Sequence, residues 1–194
     1  MSSKEDILKK YRANVRERYE MPDLTDIKAI RYPDPLVQFI SMTQSVGGKV
    51  AELEPGQDVN DLIRELYPDA KEIASNLPEI NIATRNPDTC GSAQALNGTD
   101  VGIIRGSFGV AENACVWIPQ QMEEKAVCFI SENLVILLKK SEIVHNMHEA
   151  YKRIEMNDYG YGTFISGPSK TADIAQVLVM GAQAARSATV VLMP

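Results

Sequence analysis

Val101-Gly102-Ile103-Ile104, Cys115-Val116-Trp117-Ile118, Ala126-Val127-Cys128-Phe129-Ile130 and Leu134-Val135-Ile136-Leu137-Leu138 are four apolar runs, each bounded by turn or polar residues. Their β-branched and aromatic content predicts four strands. The connections between them are short, so part of the resulting sheet is expected to be antiparallel. Two more strands are predicted nearer the end, over 163–166 and 188–193.

Upstream the pattern changes to helices. Asp34 reads as an N-cap with Pro35 at the first helical position, and Leu36, Phe39, Ile40 and Val46 supply the apolar stripe. Gly47-Gly48 ends that helix, and a short strand follows over 49–53. Asp58 caps a second helix with Val59, Leu62, Ile63 and Leu66 behind it, closed by Pro68. A short strand over 72–75 is expected, then a polar, turn-rich stretch from 79 to 99. Further helices are predicted from Ser141 to Ile154 and over 170–181. Helices separated by apolar strands give an α/β layered fold with a mostly parallel sheet.

Residues 4–20 form an amphipathic arm, with Ile7, Leu8, Tyr11, Val15 and Tyr19 at helical spacing and Pro22 ending it. The arm can pack on its own domain, which is the expectation, or on a partner subunit, including a second copy of the chain. The expected division is an N-terminal helical arm and linker over 1–33 and an α/β domain over 34–194.

Bulk composition sets limits. A chain of 194 residues can bury roughly 70% of its unfolded surface, enough for a core without staples. Twenty basic and 26 acidic residues give a formal charge of −6, which argues against nucleic-acid binding through many phosphate contacts. Cys90, Cys115 and Cys128 are widely spaced and odd in number, and no Cys-x-x-Cys occurs. Neither a disulfide framework, a zinc ribbon nor an iron–sulfur cluster is signalled, and no cofactor is expected. The charged N-terminus is no signal peptide and no apolar run is long enough to span a bilayer, so a cytoplasmic protein is expected.

Chemistry is concentrated in Thr163–Gly181. A strand runs into Gly167-Pro168 and is expected to turn directly into a helix. Ser169, Lys170 and Thr171 would then sit at the helix start, where free backbone N–H groups favour an anion. The bland alternative is capping by Ser169 or Thr171, with Asp173 neutralising the first turn. Gly162 and Gly167 have phosphate-loop separation, but Pro168 occupies the lysine position and removes an N–H, which excludes a nucleotide P-loop. In Asp100–Ile118 the glycines do not follow the dinucleotide fingerprint. Glu112 is either a pocket carboxylate or an exposed turn residue, with Arg105 as a candidate ion partner. His145 and His148 lie three apart on one predicted helix but lack the supporting ligands of a metal site, so none is expected. Trp117 and Phe108 read as core.

Together the two segments resemble the LUD-domain family, typified by lactate-utilisation protein C. The family's aspartate-valine-glycine-isoleucine-threonine run and its alanine-glutamate-threonine-glycine correspond to Asp100–Ile104 and Ala111–Ala114. Its glycine-proline-serine-(arginine or lysine)-threonine-alanine-aspartate-isoleucine stands intact as Gly167–Ile174. Asn113-Ala114 replace threonine-glycine. Ala175 replaces a frequent acidic residue, and Gly181–Ala185, which includes Gln183, replaces glycine-valine-histidine-glycine-proline. The resemblance implies a three-layer α/β fold akin to the sugar-phosphate isomerase and CoA-transferase superfamily (NagB/RpiA/CoA-transferase-like). It also implies a role in bacterial oxidation of L-lactate to pyruvate beside iron–sulfur redox partner proteins.

Three functions follow as expectations. The chain is an accessory component of lactate oxidation without its own cluster. Or it is an enzyme on a phosphorylated or CoA-linked small anion, with Glu112 as base or nucleophile and Arg105, Gly167, Ser169, Lys170, Thr171, Asp173 and Gln183 as binding residues. Or it is a sensor that binds such an anion without turnover.

Overall fold

A computed structural model of the chain describes residues 3–17, 19–20, 22–24, 27–155, 160–172, 178–181 and 185–194. In chain order the elements are α1 (Ser3–Asn14), α2 (Pro35–Ser45), β1 (Lys49–Glu52), α3 (Val59–Leu66), β2 (Ile73–Ala74), β3 (Val101–Arg105), β4 (Phe108–Val110) and β5 (Val116–Pro119). There follow α4 (Val127–Ile130), β6 (Asn133–Lys139), β7 (Ile143–Val144), α5 (Met147–Lys152), β8 (Gly162–Ile165), β9 (Lys170–Ala172), β10 (Leu178–Met180) and β11 (Ser187–Met193).

The central sheet is wholly parallel, in the order β1-β11-β6-β3-β2. β6 lies at its centre and explains the Leu134–Leu138 run. Leu134, Ile136 and Leu138 face one apolar cluster, while Val135 and Leu137 face the other. A strand covered on both sides needs no polar alternation. Each fully buried Leu or Ile there contributes roughly 1.5–3 kcal/mol.

Val59, Leu62 and Ile63 of α3 cover one face, against Val101, Ile103 and Val191. Phe39 of α2, Val127 and Cys128 of α4, and Val116 and Ile118 of β5 cover the other. The result is the expected layered α/β architecture with a parallel central sheet. Asp34 accepts from the N–H groups of Leu36 and Val37, and Asp58 from that of Asn60, so both predicted caps form. Trp117 and Phe108 are buried in a third cluster, where the Trp117 and Phe164 ring centroids are 4.8 Å apart.

Several expectations are corrected. The antiparallel pairs β4–β5 and β5–β8 lie in a separate four-stranded sheet, β7-β4-β5-β8, rather than in the central one. Residues 127–130 form a helical turn instead of a strand, with the Ile130 N–H donating to the Ala126 carbonyl at 2.8 Å. Both edges of β6 are already taken by β3 and β11, so this run has no central partner. It packs over Gly102 instead, where an added Cβ would lie 2.3 Å from Ser131 Oγ.

The predicted helix from Ser141 is delayed. Ile143 and Val144 pair with β4, extended Asn146 breaks the chain, and α5 starts at Met147. His145 therefore precedes the helix and shares no helical face with His148. The arm is helical only to Asn14, and α1 has no buried residue, so this helix does not pack on its own domain. No helix among the described residues is long and apolar enough to cross a membrane.

The largest correction falls on 170–181. Its described residues form an antiparallel hairpin of β9 and β10, with Thr171 opposite Val179 and Lys170 opposite Met180. Long-range main-chain bonds decide this. The Ser169 N–H donates to the Ala185 carbonyl at 3.0 Å, and the Gly181 N–H donates to the Ser169 carbonyl at 2.8 Å. A helix starting here would leave its first amides unpaired, whereas Ser169 is held at both main-chain groups.

Candidate functional site

The turn from β4 to β5 carries Glu112. The N–H of Ala111 donates to the Val144 carbonyl and that of Glu112 to the His145 carbonyl, which fixes the turn beside β7. Asn113 Oδ1 accepts from the Cys115 N–H and so closes the turn locally. Ala114 takes a left-handed φ of 56°. Glycine adopts that conformation without strain, and the resembling family has glycine there.

Glu112 is exposed, and its Oε2 accepts from the Met147 N–H at 3.0 Å. Its carboxylate thus joins Asn146 in completing the start of α5. Arg105 is ion-paired with Glu79 instead. The expected Arg105–Glu112 pair does not form, because each has another partner.

Asn146 is a residue the sequence reading passed over. It is buried, its Oδ1 accepts from the Glu149 N–H, and its amide donates to the Ile30 carbonyl at 2.8 Å. The Asn-x-x-Glu spacing of Asn146 and Glu149 was a legible helix-start signal. His145 Nδ1 accepts from the Tyr32 N–H at 3.1 Å, which commits one ring nitrogen to the linker.

The second segment meets the first. Ser166 Oγ donates to the Asn113 carbonyl at 2.8 Å, and the Cys115 thiol is hydrogen-bonded with the same serine. Next along the chain, Gly167 has φ of 66°, and a Cβ on it would lie 2.9 Å from the Val46 carbonyl oxygen. Pro168 is buried. Two glycine turns, Gly47-Gly48 and Gly167, are therefore pressed together at the amino end of β1. Beyond them Lys170 and Thr171 are exposed. Neither this contact nor the role of Ser166 had a local sequence signal, since both depend on residues more than fifty positions apart.

The Ser166–Asn113 bond joins the turn that carries Glu112 to the segment that leads into Gly167, while Lys170 lies beside Gly47 and Arg105 is held by Glu79. A cleft of about 410 Å³ lies at the amino ends of β3, β6 and β11, with Asp100, Glu132, Gly181 and Arg186 among its walls. Arg105 stands four residues along β3 from Val101, about 13 Å away at strand rise, at the opposite end of the sheet. Asp173 and Gln183 lie outside the described residues.

Asp100 itself is structural. Its Oδ2 accepts from the N–H groups of Lys71 and Glu72 at 2.8 and 2.9 Å, and these bonds hold its carboxyl below the usual carboxylate range. Arg186 Nη1 pairs with Glu132 Oε1 at 3.0 Å across the cleft rim.

Two of the thiols, Cys115 and Cys128, resist ionisation. Burial pushes Cys128 up to about 12. Burial also raises Cys115, opposed by the Ser166 contact and assisted by the Glu112 charge. Thiols that resist ionisation are poor nucleophiles and poor metal ligands.

No curated protein matches the sequence. The fold is similar to the crystal structure of a DUF162 family protein from Deinococcus radiodurans, with a TM-score of 0.66 over 86% of this chain and 100% of that one, at 11% identity. The LUD domain family matches residues 91–193, more than half of the chain and inclusive of both segments that meet at Asn113 and Ser166. This chain belongs to the LUD domain family.

Proposed function

We propose that the chain is an accessory component of bacterial L-lactate utilisation in the cytoplasm. In this role it carries no iron–sulfur cluster of its own and works beside redox partner proteins in the oxidation of lactate to pyruvate. Membership of the LUD domain family supports the pathway. The observation that carries the accessory role is α1, an apolar-faced helix of 12 residues with no buried side chain. Ile7 and Tyr11 are 64% and 67% exposed. A helix this short is marginal in water without tertiary packing, so a partner that covers it supplies the missing stability. Two further observations support the same reading. The Glu112 carboxylate is spent on the Met147 N–H, and the Cys115 and Cys128 thiols are held in their protonated form. Tagged chain recovered from native lysate of lactate-grown cells is expected to bring down an iron–sulfur protein. Recovery of the chain alone would count against the role.

A second reading keeps a small phosphorylated or CoA-linked metabolite at the 167–171 segment, as substrate or as sensed ligand. It is favoured by the adjacent exposure of Lys170 and Thr171 beside the Gly47-Gly48 turn. Thermal-shift measurements with sugar phosphates and CoA esters test it, and stabilisation lost in Lys170→Ala is the supporting outcome.

A further inference from the structure

Away from both family segments, the linker and α5 enclose a hollow of about 420 Å³. This volume falls at the small end of the range for ligand sites. Leu24 and Ile27 form an apolar wall on the linker side. Lys28, Arg31, His148 and Lys152 supply its charged and polar rim.

Among the described lining residues the single carboxylate is already used. Glu149 Oε1 pairs with Arg31 at 2.8 Å, and its Oε2 accepts from the His145 N–H at 3.1 Å. Lys28 and Lys152 make no ion pair among the described residues, so the described lining carries an excess of positive charge. The frame around it is fixed, because buried Asn146 ties α5 to the Ile30 carbonyl and His145 holds Tyr32. Lys28 on the linker and Lys152 on α5 therefore line one hollow whose two sides are tied together. A preformed apolar wall with convergent charges of one sign is the pattern of a small-molecule site.

We propose that this hollow binds a small organic anion, an acidic head group carried on a short apolar body. Lys28 and Lys152 would hold the head, His148 would add a hydrogen bond, and Leu24 and Ile27 would cover the body. The site is independent of any redox partner and of the 167–171 segment.

Amide chemical shifts of the full-length chain test it, with hexanoate, hexyl phosphate, acetate and hexylammonium as probes. Hexanoate is expected to shift the amides of Ala29, His148 and Lys152 saturably, and to bind about tenfold more tightly than acetate because of its buried methylenes. Hexyl phosphate distinguishes a phosphate from a carboxylate preference, and tighter binding by either anion supports the site. Paired Lys28→Gln and Lys152→Gln substitutions should weaken hexanoate about tenfold, at the strength of two exposed charge contacts. The paired arginine substitutions should retain binding. Both lysines are exposed, so an unchanged melting temperature verifies that each variant is folded. Equal shifts from hexylammonium, hexanoate binding unaltered in the paired glutamine variant, or shifts confined to other parts of the chain would overturn the proposal.

Discussion

The Glu112 carboxylate accepts the Met147 N–H at 3.0 Å and so fastens the β4–β5 turn to the first residue of α5. A residue that sequence alone offers as a base or nucleophile acts here as a joint between the second sheet and the helix that covers it. Asn146 completes the same joint from the helix side.

Removal of either partner should therefore be read in stability. Glu112→Ala is expected to cost about 0.5–2 kcal/mol, the range for loss of a helix-start acceptor. Asn146→Ala should cost more, about 2–3 kcal/mol, because it also removes the bond from the buried Asn146 amide to the Ile30 carbonyl. Urea unfolding checks both, and equal stability of the three proteins would mean that these bonds are not made in solution.

Gly102 is needed for close approach. An added Cβ would lie 2.3 Å from Ser131 Oγ and 3.0 Å from the Val127 carbonyl oxygen. Gly102→Ala should destabilise by about 1–3 kcal/mol through overpacking. Ser131→Ala in that background should restore only part of the loss, since the Val127 contact remains. Thermal unfolding of the single and double variants measures the difference.

Ala114 tests backbone strain. At φ of 56°, Ala114→Gly relieves strain but loses a buried methyl and gains unfolded-state entropy, so its net effect should stay within about 1 kcal/mol. Ala114→Val adds β-branching at a left-handed position and should destabilise clearly. If valine proved as stable as glycine, the left-handed turn would be absent.

How far the sequence carries can be seen by contrasting two regions. The Leu134–Leu138 run and the Asp34 and Asp58 caps were legible because one strand's burial, or one turn's bonds, is a local matter. The 170–181 segment was misread because the choice between helix and hairpin is made elsewhere, by the Ala185 carbonyl and the Gly181 N–H that hold Ser169. The candidate site was half legible for the same reason. Glu112 and Gly167–Thr171 were each singled out from their motifs, yet the Ser166–Asn113 bond that joins the two segments spans most of the second sheet's sequence. The Arg105–Glu112 pair was not legible as absent, because the partners that replace it, Glu79 and the Met147 N–H, are set by the fold.

Asp100 gives a pH signature. Its folded pKa lies below the usual 3.8, so its contribution is complete above about pH 4 and is lost as the carboxylate is protonated on acidification. Wild type should exceed Asp100→Asn in stability at neutral pH, and the gap should narrow as the pH falls below 4. A gap independent of pH would show that the bonds to Lys71 and Glu72 do not need the charge.

Thiol labelling at pH 8 should proceed first at partly exposed Cys90, slowly at Cys115, and at Cys128 only after unfolding. Mass spectrometry of the labelled peptides reads the order, and early modification of Cys128 would contradict its burial.

The account depends most on the arm as the part that engages a partner. The direct measurement is the rate of lactate oxidation in cells that lack this chain, complemented with wild type, with a form lacking residues 3–14, or with Lys170→Ala. Because α1 buries nothing on the domain, its removal should leave the melting temperature unchanged yet abolish both rescue and co-purification of the redox partner, while Lys170→Ala rescues fully. Full rescue by the armless form together with failure of Lys170→Ala would contradict the accessory role and place the function at the 167–171 segment.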